Sequence, residues 1–76
     1  MNGLNLRFQS LETIVNDVSY GDMYKQQYLV KLLINGGYDE FKKVTTLFEM
    51  EIASGNERAK EKLEEVLRLS GLNEYV

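Results

Sequence analysis

The chain has no cysteine, no histidine, no proline and no tryptophan. Without cysteine there is no disulfide framework, no thiolate metal site and no thiol nucleophile. Without histidine the commonest transition-metal ligand and general base is missing as well. These absences remove most catalytic chemistry, and the expectation is a protein that is not an enzyme and holds no cofactor or metal. No basic start leads into an apolar run, and nowhere do eighteen apolar residues occur together, so neither a signal peptide nor a membrane span is expected. A cysteine-free chain fits a reducing compartment, and the expected location is cytoplasmic.

One sign of charge is also thin. Nine Lys and Arg stand against twelve Asp and Glu, for a net charge of −3 and a pI near 4.9. The basic residues are scattered, whereas affinity for nucleic acid rests on clustered Lys and Arg. Direct nucleic-acid binding is therefore not expected. At 76 residues, 43% hydrophobic and 28% charged, the chain holds one globular domain, residues 1–76.

What is present reads as helices. Four segments separated by glycine carry apolar residues at the 3.6-residue period of amphipathic helices. Segment four, about 56–70, sets Ala59, Leu63, Val66 and Leu67 on one stripe and Glu57, Lys60, Glu61, Glu64 and Arg68 opposite. Gly71 then suits a left-handed stop, with Leu72 placed to touch Leu67. Segment three, about 39–53, has Phe41, Val44, Leu47, Phe48 and Ile52 on one stripe and Asp39 and Glu40 in its first turn. Between them either Gly55 ends one helix and Asn56 caps the next, or Ser54 and Glu57 form a capping box. Segment two, about 20–35, follows Ser19 and stops at Gly36-Gly37, whose backbone freedom suits a sharp end. Segment one is a helix over about 10–18. Leu4, Phe8, Leu11, Val15 and Val18 could carry its seam back to Leu4, while Leu4, Leu6 and Phe8 alternate like a strand, and the pattern leaves both readings open. No internal repeat is visible. Short connections imply antiparallel neighbours, so the expected fold is all-α, a compact antiparallel bundle of three to four short helices.

Segment two departs from the ordinary. Tyr20, Met23, Tyr24, Tyr28, Leu29, Val30, Leu32, Leu33 and Ile34 span the whole helical wheel, with few polar positions such as Gln26 and Lys31 between them. A helix apolar on every side is normally enclosed, and a chain this short has few elements to enclose it. Either segment two is the central helix, or Tyr20, Tyr24 and Tyr28, spaced four apart, form with Met23 a ridge that meets a partner. The interface residues expected on the second reading are Tyr20, Met23, Tyr24 and Tyr28, and the partner is another protein or a second copy of the chain.

Other patterns carry less. Glu57, Glu61, Glu64 and Glu65 could imitate a phosphate backbone, but Arg58, Lys60, Lys62 and Arg68 interleave with them. Asn35-Gly36-Gly37-Tyr38 precedes a helix as phosphate-binding loops do, yet no Gly-Lys-Ser follows and no strand precedes it. A helix-turn-helix reading of segments two and three would present Asp39-Glu40 to phosphates.

The stretch from Leu33 through Gly37-Tyr38 to Gly55-Asn56-Glu57-Arg58-Ala59 resembles in part a ubiquitin-associated domain, Gly37-Tyr38 standing at that family's Met-Gly-Phe loop, with a longer middle helix. Residues 44–56, Val-Thr-Thr-Leu-Phe-Glu-Met-Glu-Ile-Ala-Ser-Gly-Asn, are similar to a helix of the small acidic immunity proteins that inhibit nuclease bacteriocins, whose Asp-x-x-Tyr-Tyr-Pro segment is absent. Together the two resemblances imply a class, small acidic helical modules that bind proteins. The functional expectation is an inhibitor, adaptor or regulatory subunit of a bacterium or mobile element. The alternatives are a homo-oligomeric assembly protein and an acidic mimic of nucleic acid.

Overall fold

The structure, a computed structural model, describes residues 10–72. Four helices make an all-α antiparallel bundle: α1 Leu11–Ser19, α2 Met23–Asn35, α3 Tyr38–Ala53 and α4 Glu57–Leu69. Three of the four follow the sequence periodicity to within a residue at each end. The extension of the first helix to Leu4 lies outside the described residues.

The starts and stops have local chemical causes. Ser10 opens α1, its hydroxyl accepting the Thr13 N–H at 3.2 Å, and Asn56 opens α4 by accepting the Arg58 N–H at 3.1 Å. Of the two readings of the α3–α4 turn, the structure therefore has Gly55 as the stop and Asn56 as the cap. At the end of α4 the Leu72 N–H reaches the Leu67 carbonyl at 2.8 Å and Gly71 takes φ 79°, the Schellman geometry expected from its glycine and leucine.

The start of segment two is corrected. Tyr20 is not its first residue but the C-cap of α1. Gly21 follows at φ 105°, and the Asp22 N–H bonds back to the Asp17 carbonyl at 3.1 Å, closing α1 with the same motif. Asp22 then caps α2 through the Lys25 N–H at 3.1 Å. The stop of α2 is also corrected in its cause: Gly36 and Gly37 both keep negative φ. Gly36 is needed for space, because a Cβ there would lie 2.8 Å from the Leu32 carbonyl oxygen and 2.6 Å from Cγ of Glu40.

Each helix gives its inner stripe to one core. α1 contributes Ile14, Val15 and Val18, α2 Leu29 and Leu33, α3 Val44 and Phe48, and α4 Ala59, Leu63, Val66 and Leu67. Full burial of the Val, Leu, Ile and Phe side chains among them is worth about 1.5–3 kcal/mol each before the entropy of ordering the chain is set against it. Polar bonds join helices across the bundle: Asn16 Nδ2 donates to Glu51 Oε2 at 3.0 Å, and Gln26 Nε2 to Glu65 Oε2 at 3.0 Å. Lys25 pairs with Asp17 across the α1–α2 turn.

Candidate protein-binding face on α2

The enclosed-helix reading of segment two fails in the structure. α2 buries only Gln26, Leu29 and Leu33, with Tyr28, Val30 and Leu32 packed partly against the core. At about 100° per residue these positions occupy one side of the wheel, and Met23, Tyr24, Gln27, Lys31 and Ile34 fall within an arc of about 100° on the other. All five are exposed. Met23 and Tyr24 each keep 52% of their surface in solvent and Ile34 59%. Seen from sequence, a helix apolar all round had two explanations; the bundle covers one side and leaves the other bare.

The four residues expected at an interface divide accordingly. Met23 and Tyr24 stand together at the start of α2, on the exposed arc. Tyr28 sits on its flank, half-buried against the core. Tyr20 is 64% exposed but belongs to the preceding turn, so the three tyrosines do not form one continuous helical ridge. Tyr20 instead borders a polar recess of about 380 Å³ shared with Ser54, Gly55, Asn56, Glu57 and Arg58 at the α3–α4 turn. The sequence reading missed Ile34 as part of the surface. Its signal was available: Ile34 lies eleven residues, three helical turns, after Met23.

The charge on this face is distinctive. α2 holds no Asp or Glu, whereas α1, α3 and α4 all do. Lys25 is neutralised by Asp17, with Asp22 at 4.0 Å, which leaves Lys31 as the one exposed charge on the helix. The exposed side of α4 is mostly charged, with Glu57, Arg58, Lys60, Glu61, Glu64 and Arg68 mixing both signs and Leu69 as its one large exposed apolar residue. Its mixture forms no single-sign acidic strip, and Lys62 reaches Glu65 at 3.8 Å.

Elsewhere, an open groove of about 580 Å³ runs between the start of α1 and α3, bordered by Leu11, Leu47, Lys42 and Lys43. A smaller apolar recess of about 340 Å³ lies at the α2–α3 turn, between Leu33, Tyr38 and Leu72. The larger groove is also lined by Ser10, Glu12, Asp39 and Thr46; the Ser10 hydroxyl is bonded to Thr13, not to an acid or amine of the groove. Among the described residues no three acidic side chains converge as a metal site, and no helix is long and apolar enough to cross a membrane. The chain matches no protein-family model, and no curated protein or solved structure is similar enough to match it.

Proposed function

We propose that the protein is a non-enzymatic interaction module that docks through the exposed side of α2, with Met23, Tyr24 and Ile34 as its anchors and Tyr20 and Tyr28 at its edge. The observation that carries this reading is the concentration of exposed Met, Tyr and Ile on the one helix that carries no carboxylate. Single exposed apolar residues are normal on a protein surface, but several on one helical arc mark interaction sites. Tyrosine and methionine suit such a site because they offer large contact area, the first with a polar end and the second with an adaptable shape.

An acidic mimic of nucleic acid is less well supported, since the acids of α4 are interleaved with Arg and Lys. The test compares two double variants. Met23→Glu with Tyr24→Arg alters the α2 face, and Glu57→Lys with Glu61→Lys alters α4. With protein from the source cells as prey, and each captured protein then titrated in purified form, the α2 variant is expected to weaken binding at least about thirtyfold, the scale of an interface hot spot. Loss of binding in the α4 variant alone would sink the proposal and favour charge mimicry.

A further inference from the structure

We infer that the partner of the α2 face is a second copy of the same chain, bound two-fold with the two α2 helices antiparallel. The inference rests on the docking role proposed for α2 and names its occupant.

Charge selects the orientation. Two copies of a chain with net charge −3 repel wherever their carboxylates meet. α2 is the one helix among those described that can face its own copy with no carboxylate on either side. The order of residues along the exposed arc is also self-complementary. In an antiparallel pair with its axis near Tyr28 and Leu29, Met23 lies opposite Ile34 of the second copy, and Gln27 lies opposite Lys31. Both heavy apolar ends are then covered at once, which an isologous contact requires. The two Lys31 residues are displaced from each other by about 7 Å along the helix axis at 1.5 Å per residue. Each ammonium instead faces an amide oxygen of Gln27 and the ring of Tyr24 across the interface, where a cation–π contact can form. A parallel pairing would set Lys31 against Lys31.

Light scattering on the full chain, from about 10 μM to 1 mM, tests the pairing against its alternatives. The expected result is a mass rising from 8.8 kDa toward twice that value. Met23→Glu with Ile34→Glu, which sets carboxylate against carboxylate at both ends of the pair, should raise the dissociation constant at least about thirtyfold while leaving the helical circular dichroism unchanged, since both sites are exposed. Gln27→Glu should tighten the dimer severalfold at low salt, because it sets a carboxylate opposite each Lys31. A monomer throughout the range overturns the inference, and so does a dimer indifferent to Met23→Glu with Ile34→Glu. Tightening lost or reversed in Gln27→Glu overturns the antiparallel register. A monomer that still loses a purified heterologous partner on α2 substitution would leave the docking role standing with a different occupant.

Discussion

The hairpin α1–α2 turns over at Gly21 and the hairpin α3–α4 at Gly55, with φ of 105° and 104°, and in each the next residue, Asp22 or Asn56, caps the following helix. Counted from those glycines, the cores correspond in part, though buried Val15 matches exposed Glu49 and buried Val44 matches exposed Ser10. Ile14 matches Phe48, Leu29 matches Leu63, and Leu33 matches Leu67, all buried. The surfaces do not correspond: Met23 stands where α4 has Glu57, Tyr24 where it has Arg58, and Ile34 where it has Arg68. The same turn and the same inner stripe therefore support two outer faces. α4 carries charged residues at those places, so the apolar residues of α2 are not required by the hairpin itself.

The correspondence in the core can be broken most forcefully at its largest member. Phe48 has no exposed surface, and Phe48→Ala is expected to cost about 3–5 kcal/mol through lost burial and the cavity left behind. That is a large part of the total for a domain whose net stability is on the order of 5–15 kcal/mol. Ile14→Ala, at the matching place in the first hairpin, should cost about 2–5 kcal/mol. Urea unfolding measures both. A loss below about 1 kcal/mol at either position would show that the two hairpins do not share the core equally.

A smaller effect tests the turns. A Cβ on Gly21 or Gly55 would meet nothing within 4 Å, so alanine there is penalised by backbone conformation alone. Gly21→Ala and Gly55→Ala should each lower stability by about 1–2 kcal/mol, and by similar amounts. Clearly unequal losses in thermal unfolding would mean that one of the turns is held by something other than its shared geometry.

These turns also show how far the fold could be read in advance. Gly55-Asn56 was legible as a turn between two helices, with a stop and cap as one of two readings and a Ser54–Glu57 capping box as the other, and both place the break at the same point. Gly21-Asp22 carries the same chemistry, but the four-residue spacing of Tyr20, Tyr24 and Tyr28 runs through it and imitates a helix. The glycine decides, since a left-handed residue ends α1 whatever the side chains around it suggest. On the candidate face, the excess of apolar residues in segment two was plain from sequence. Which side the bundle would cover was not, because that depends on how α1, α3 and α4 all pack against it. Gln26 illustrates the difficulty. It was one of the few polar positions of segment two, yet it is 1% exposed, and its partner Glu65 lies in another helix.

Gln26 is also where the match between hairpins slips. α4 buries Ala59 and exposes Lys60, while at the same places α2 has half-buried Lys25 and buried Gln26. The Gln26 amide nitrogen is satisfied by Glu65, but its Oε1 is buried without a hydrogen-bond donor. An unmet buried acceptor costs about 1–3 kcal/mol, and the bond to a carboxylate recovers only part of this because Glu65 is partly exposed and can return to water. Methionine has nearly the same length and shape and leaves no polar atom to satisfy. Gln26→Met is therefore expected to stabilise the fold by about 1 kcal/mol, which in a domain of this size raises Tm by about 4–8 °C. A lower Tm would mean that the Gln26–Glu65 bond outweighs the orphaned carbonyl and that α2 depends on it for its seat on α4.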